Sequence, residues 1–78
     1  MRTEEDVYLN QIEIDRYPIN KSTLDLIDFI RDGGEVKPIK VYEKSKGKFA
    51  IRDGRHRFTA YKMMGKQKIK VKYFKKYK

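Results

Sequence analysis

Apolar residues recur along this 78-residue chain with two different periods. In four short segments every second residue is apolar, which is the period of a β-strand. These segments are Val7–Ile14 with a turn or bulge at Asn10-Gln11, Ile39–Glu43, Phe49–Arg52 and Lys68–Tyr73. Two further segments repeat every three or four residues, which is the period of an amphipathic helix. The pattern predicts the element order β-α-β-β-α-β.

The first helix is expected to begin at Ser22, where Asp25 provides a weak variant of the capping box. Gly33 and Gly34 are expected to end it, because glycine readily adopts the conformation that terminates a helix. Its apolar residues form a broad stripe, made of Leu24, Leu26, Ile27, Phe29 and Ile30. A stripe of this width indicates a helix that packs against a sheet.

The second helix is expected to follow a strand after a single tight turn. Asp53-Gly54 is a turn dipeptide, since Asp can bond to its own backbone and Gly tolerates a positive φ. The helix is predicted over Arg55–Gly65, with Gly65 as its stop. The apolar residues that recur at helical spacing are Phe58, Tyr61 and Met64.

The first turn of this second helix carries three basic side chains, Arg55, His56 and Arg57. A helix N-terminus is the positive end of the dipole and its first N–H groups lack partners, so cations there are unfavourable without an anion. Phosphate is the usual anion at such a position, because backbone amides and arginine both bind it well. The plain alternative is that Asp53 caps the helix and that the arginines are solvated or paired with carboxylates.

The length and the element order indicate one small α+β domain over residues 1–78, with residues 1–6 and 75–78 frayed. A chain of this length buries roughly 60% of its unfolded surface, so a surface cleft is the largest site expected. There is no cysteine, which excludes disulfides, thiol nucleophiles and thiolate metal sites. No apolar run has the length of a membrane span, and no signal peptide is evident. We expect a soluble cytoplasmic protein.

The charge is divided unevenly along the chain. Residues 1–35 hold nine acidic and four basic residues, giving −5, whereas residues 36–78 hold two acidic and sixteen basic residues, giving +14. This predicts either an acidic partner such as DNA or attraction between the two halves. Candidate nucleic-acid contacts are Lys68, Lys70 and Lys72 on the last strand, with Lys75 and Lys76 in the tail. The alternatives are that the strand lysines protect a sheet edge and that the tail only aids solubility.

The chain contains Ile12–Arg16 before its first predicted helix, then GEVKPIKV at Gly34–Val41 and DGRHRFTA at Asp53–Ala60. These three segments resemble the ParB/sulfiredoxin-like domain, also known as the ParB-like nuclease domain. Ile12–Arg16 resembles the opening of the family, where an arginine precedes the first helix. Gly34–Val41 (GEVKPIKV) resembles the box G-x-x-x-P-I-x-V, and Asp53–Ala60 (DGRHRFTA) resembles the box that reads G-E-R-R-x-R-A in ParB proteins and G-C-H-R in sulfiredoxins. The resemblance covers about Val7 to Tyr73. It implies a small mixed sheet packed against two helices.

The third box also departs from the family. Arg55 stands where sulfiredoxins have cysteine, so sulfinic acid reduction is excluded. ParB proteins have a glutamate associated with nucleotide hydrolysis there, and a further arginine where this chain has Thr59. The resemblance therefore implies phosphate binding more strongly than catalysis. The residues implied for the nucleotide or phosphate are Gly54, Arg55, His56, Arg57, Lys37, Pro38 and Arg16.

The leading hypothesis is a nucleotide- or phosphate-binding module with an accessory or regulatory role linked to DNA, of phage or plasmid origin. Arg57 is expected to be the main phosphate ligand and to be dispensable for folding. A non-catalytic nucleic-acid-binding protein is the first alternative. A phosphohydrolase, kinase or nuclease is the second, with His56 as acid or base and Asp53 helping to hold Mg²⁺. For that alternative the nearby acids are expected to be Asp53 and Glu43.

Overall fold

The computed structural model describes residues 4–73. Within this range the chain forms five strands and two α-helices: β1 (Glu4–Tyr8), β2 (Ile12–Glu13), α1 (Lys21–Arg31), β3 (Ile39–Ser45), β4 (Lys48–Asp53), α2 (Arg55–Met63) and β5 (Lys68–Tyr73). The α+β class is confirmed, and the first expected strand is divided into β1 and β2 by one turn of 3-10 helix, Leu9–Gln11. Residues 4–6, expected to fray, belong instead to β1, and residues 75–78 lie outside the described range.

The strands of residues 4–73 form one mixed sheet in the order β1-β5-β3-β4-β2. β1 with β5 and β3 with β4 are antiparallel, whereas β3 with β5 and β2 with β4 are parallel. β5 therefore has a paired neighbour on each side. The expectation that its lysines protect a sheet edge is wrong, because β1 covers that edge. The directly opposed residues include Tyr8 and Lys68, Asp6 and Lys70, and Glu4 and Lys72.

Several ion pairs between residues distant in sequence connect the acidic first half of the chain to the basic second half. They are Asp6–Lys70 at 3.9 Å, Glu13–Lys44 at 2.6 Å and Asp15–Arg55 at 3.1 Å. All three are exposed, so each contributes little to the free energy of unfolding. They show that the uneven charge is used, at least in part, for attraction between the two halves.

The hydrophobic core lies between the inner face of the sheet and α2. Ile39, Val41 and Val71 are fully buried on neighbouring strands β3 and β5, and Phe58 inserts from the first half of α2. α2 ends at Met63, and Gly65 follows with a φ of 79°, which confirms the predicted stop. The core thus fixes the position of α2 directly after β4.

α1 differs from the expectation at its start and in its packing. Its N-cap is Asn20 rather than Ser22, because the Asn20 Oδ1 atom accepts from the Thr23 amide at 3.2 Å. The helix lies mainly against α2, so the expectation that it packs on the sheet is wrong. Thr23 and Ile27 are its buried residues, whereas Leu24 and Phe29 on its outer side are about half exposed. Neither helix of residues 4–73 has the length and apolar composition that crossing a membrane requires.

Candidate phosphate-binding site

The turn between β4 and α2 leaves the first amides of the helix open. Gly54 is the N-cap of α2, with a left-handed φ of 119°, and it offers no side chain to cap the helix. The first hydrogen bond along the helix runs from the Phe58 amide to the Gly54 carbonyl at 2.8 Å. The amides of Arg55, His56 and Arg57 precede that bond. The alternative that Asp53 caps α2 is therefore wrong, and these three N–H groups are available to a ligand. The second part of that alternative is confirmed, because Arg55 pairs with Asp15 and Arg57 pairs with Asp53.

Gly54 also lies where a larger residue would not fit easily. An added Cβ atom would come within 3.2 Å of Ile39 in the core and of the Arg57 guanidinium. The left-handed backbone would be strained for any other residue as well. The close approach of the backbone to β3 and to Arg57 explains why glycine occupies this turn.

The Arg57 guanidinium is held by three acceptors of the protein itself. Its Nη1 atom donates to the carbonyls of Lys37 and Pro38 at 2.8 and 3.2 Å, and its Nη2 atom donates to Asp53 Oδ2 at 3.3 Å. Its side chain is 18% exposed. Arg57 therefore ties the segment before β3 to the start of α2. Its assignment as the main phosphate ligand stays a prediction, because an anion would have to use its remaining N–H groups or compete for the bonded ones.

Arg55 points its guanidinium towards the loop before α1. Its Nε atom donates to Asp15 Oδ1 at 3.1 Å, and both side chains are well exposed. The hydrogen bond from Arg55 lowers the pKa of Asp15, and the charges of Arg55 and Arg16 add to the effect. This bond uses the Nε atom of Arg55, so both of its terminal nitrogens remain available to an anion in the cleft that Arg55 lines.

His56 joins the start of α2 to the start of α1. The Asn20 Nδ2 atom lies 3.3 Å from His56 Nε2, and it donates to that nitrogen when the nitrogen carries no proton. Asn20 is also the N-cap of α1, so one side chain serves both helix starts. A cleft of ≈ 380 Å³ lies here, and its walls are Leu26, Asp53, Gly54, Arg55, His56 and Arg57.

The other residues predicted for the site are placed less closely around this cleft. Lys37 and Pro38 take part through their backbone carbonyls, which bond to Arg57, while the Lys37 side chain is exposed. Arg16 is exposed in the loop before α1, and its charge acts on Asp15. The structure thus brings Gly54 and the three basic residues that follow it to one cleft, with Lys37 and Pro38 behind Arg57.

Asp15 and Asn20 are two further residues of the site that were not among those predicted for it. Asn20 carries a signal, because Asn three residues before Thr23 fits an N-cap. Asp15 has none, since its contact with Arg55 spans 40 residues. The expectation that Glu43 lies near the Asp53–Ala60 segment is wrong. The Glu43 carboxylate accepts a hydrogen bond from the Gly47 amide in the β3–β4 hairpin.

The residues predicted for catalysis and for nucleic acid have defined surroundings. Asp53 accepts from Arg57, and His56 contacts Asn20. Within residues 4–73, no three His, Cys, Asp or Glu side chains are grouped as metal ligands would be. Lys68, Lys70 and Lys72 lie on β5, opposite β1, whereas Lys75 and Lys76 fall outside the described residues. The catalytic and nucleic-acid assignments remain predictions.

Solved structures of three kinds of protein share this fold. Sulfiredoxin from Arabidopsis thaliana has a TM-score of 0.80 at 27% identity, over 95% of this chain and 86% of that one. The truncated chromosome-partitioning protein ParB from Caulobacter crescentus, complexed with CTP-gamma-S, has a TM-score of 0.75 at 18% identity, over 96% and 45%. A free serine kinase mutant in complex with AMP has a TM-score of 0.81 at 16% identity, over 94% and 31%.

This chain therefore spans most of the sulfiredoxin, but less than half of that ParB chain and about a third of the kinase. No curated protein matches it. The family model of the ParB N-terminal domain matches residues 5–76, which is nearly the whole chain. The match includes β1, both helices and the Gly54 turn. The chain belongs to the ParB N-terminal domain family.

Proposed function

We propose that this protein binds a nucleotide and that the phosphates lie at the N-terminus of α2. The observation that carries the proposal is the open first turn of that helix. Gly54 caps it without a side chain, so the amides of residues 55–57 have no side-chain cap and precede the first helical bond. Amides in this position, at the positive end of the helix dipole, favour a phosphate group.

The charges around the cleft support an anionic ligand. Arg55 and His56 are exposed at its wall, and Arg57 lies behind them. The carboxylates nearby, Asp15 and Asp53, are each bonded to one of these arginines. The cleft therefore has open amides and basic side chains facing an anion, while its acidic groups are occupied.

Two proteins of the same fold support nucleotide rather than free phosphate as the ligand class. The Caulobacter crescentus ParB is complexed with CTP-gamma-S, and free serine kinase mutants are complexed with AMP or ADP. We assign the phosphate to the amides of residues 55–57 and to the terminal nitrogens of Arg55. His56 would donate a further hydrogen bond, and Arg57 would hold the turn in place. We further propose that the protein has a regulatory role linked to DNA.

The test is a binding titration with nucleoside triphosphates. ATP, CTP, GTP and UTP are added with and without Mg²⁺, beside inorganic tripolyphosphate, and melting temperature and heat of binding are measured. Losing one or two charge-assisted hydrogen bonds in Arg55→Ala/His56→Ala should weaken binding by about ten-fold or more. The control Lys46→Ala removes one charge in the β3–β4 hairpin and should bind normally.

The proposal fails if no nucleotide and no tripolyphosphate stabilises the protein. It also fails if Lys46→Ala weakens binding as much as the double variant, because general charge would then explain the affinity. Phosphate release measured in the same samples tests catalysis. Turnover that is lost in His56→Ala would assign the enzymatic role predicted for His56 and Asp53.

A further inference from the structure

Two exposed tyrosine rings each lie beneath a lysine on the part of the surface around the C-terminal half of α2. The Lys68 ammonium is 5.0 Å from the centre of the Tyr8 ring, and the Lys62 ammonium is 5.9 Å from the centre of the Tyr17 ring. Tyr8 is 49% exposed and Tyr17 is 46% exposed. Cation–π contacts of this kind hold the lysines near the rings.

A groove lies between these two pairs. It has a volume of ≈ 530 Å³ and is lined by Tyr8, Leu9, Asn10, Lys62, Gly65, Lys66 and Gln67. None of its lining residues is acidic. Lys62 belongs both to the groove and to the Tyr17 contact, so the groove and both rings form one continuous area. We call the area made of Tyr8, Tyr17, Lys62, Lys66 and Lys68 the lysine–tyrosine surface.

Before any partner binds, packing holds the Tyr17 ring in place, and hydrogen bonding holds the backbone that carries Tyr8. Tyr17 stacks on the buried Phe58 ring, with the centroids 6.2 Å apart and the planes at 18°. Tyr8 lies at the end of β1, opposite Lys68, and its amide donates to the Gln11 side chain at 2.9 Å. Fixed aromatic faces lose little conformational freedom when a flat group stacks on them.

We propose that the lysine–tyrosine surface binds single-stranded nucleic acid. A base would stack on the Tyr8 ring in place of Lys68, and another on the face of Tyr17 that Lys62 covers, since Phe58 packs on its other face. Both contacts with lysine are weak enough to be displaced, and the released lysines would contact the phosphates together with Lys66. Single strands are recognised in this way, by a basic groove that follows the backbone and by aromatic rings on which bases stack. A duplex keeps its bases stacked inside, so it would use the lysines without the rings.

This surface is separate from the nucleotide site and from the full lysine row of β5. Arg55 and Lys62 are seven residues apart on α2, which corresponds to about 10 Å along the helix. Within the β5 row, Lys70 and Lys72 lie opposite acidic residues of β1, and Lys68 lies opposite Tyr8. Of the three β5 lysines, Lys68 therefore belongs to this surface, because the acidic residues of β1 lie opposite the other two. Lys62 and Lys66 provide the rest of its positive charge.

The test is fluorescence anisotropy with labelled oligothymidine, a duplex of equal length and polyglutamate as a competitor. Tyr8→Leu and Tyr17→Leu remove the rings, and Lys62→Gln/Lys66→Gln removes groove charge. The control Lys46→Gln/Lys48→Gln removes the same charge in the β3–β4 hairpin. Circular dichroism confirms that each variant is folded. If Tyr17→Leu loses structure, because Tyr17 packs on Phe58, Tyr8→Leu still tests the proposal.

Each tyrosine variant should bind oligothymidine about five- to one-hundred-fold more weakly and bind duplex as before. In Lys62→Gln/Lys66→Gln, the slope of the logarithm of the binding constant against the logarithm of the salt concentration should become shallower by about 1.4. The control Lys46→Gln/Lys48→Gln should leave this slope unchanged. Arg55→Ala should leave oligothymidine binding unchanged. Unchanged oligothymidine affinity in Tyr8→Leu would overturn the proposal, as would polyglutamate competing as well as unlabelled oligothymidine.

Discussion

Arg57 donates to the carbonyl of Lys37 at 2.8 Å, across 20 residues of sequence. The same guanidinium bonds to Pro38 and to Asp53, so it joins the segment before β3 to the end of β4. A basic residue at the start of a helix is thus used to hold two loops together. This contact changes what is expected when Arg57 is removed.

We predict that Arg57→Ala lowers the free energy of unfolding by about 1–3 kcal/mol, because two carbonyls lose a charged donor in a partly buried place. Arg57→Lys should recover a minor part, since lysine lacks the planar fork. The measurement is urea unfolding followed by circular dichroism. Arg55→Ala is the matched control and should change stability little, because its pair with Asp15 is exposed. If the two alanine variants lower the free energy of unfolding equally, the Arg57 contacts stabilise the fold no more than the exposed Arg55 pair does.

Gly54→Ala should destabilise the protein more than Gly33→Ala. Both glycines have a left-handed φ, 119° and 91°, so both substitutions strain the backbone, by about 1–2 kcal/mol. A Cβ atom at Gly33 meets nothing within 4 Å, whereas one at Gly54 comes within 3.2 Å of Ile39 and Arg57. The difference between the two melting temperatures therefore measures the close approach at Gly54. No difference would mean that Ile39 and Arg57 move aside at no cost.

Local signals in the sequence were sufficient to locate α2 and its turn. The Asp53-Gly54 dipeptide, the spacing of Phe58 and Tyr61, and Gly65 each act within a few residues, and the structure has all three features in place. The basic cluster at the helix start is likewise visible in the sequence. These parts of the site depend on short-range chemistry, which is why a single sequence contains them.

Long-range contacts could not be read in the same way. The position of β5 inside the sheet depends on Glu4–Tyr8, whose acidic residues give no strand pattern, yet they pair with its lysines. The packing of α1 on α2 and the contact of Asn20 with His56, 36 residues apart, also depend on the whole fold. The residue types that make these contacts are visible in the sequence, but the pairing between distant residues is not.

Asp15 should report on Arg55. The hydrogen bond from Arg55 is the main cause that lowers the pKa of Asp15 below its usual 3.8. Arg55→Ala should therefore raise the pKa of the Asp15 carboxyl, measured by NMR as a function of pH. A group with a lowered pKa stabilises the fold above its unfolded pKa and loses that effect as pH falls through its folded pKa. The variant should accordingly lack a small part of the acid dependence below about pH 4. An unchanged Asp15 titration would contradict the contact.

Tyr73 should make the protein sensitive to alkaline pH. Burial is the main cause that raises the pKa of its phenol from 10.0 to about 12, and the carboxylates of Glu5 and Glu43 act in the same direction. Because the folded pKa lies above the unfolded one, the stabilising effect is complete below pH 10 and is lost as pH rises towards 12. The same ring packs against Phe49, with the centroids 5.4 Å apart, so Tyr73→Phe keeps the packing and removes the titrating group.

Melting temperature should fall more steeply between pH 10 and 12 in the wild type than in Tyr73→Phe. Tyr8→Phe is the control, because it removes an exposed phenol and should keep the wild-type slope. Parallel curves for all three proteins would show that the Tyr73 phenol ionises without loss of folded structure, which would contradict the expected effect of its burial.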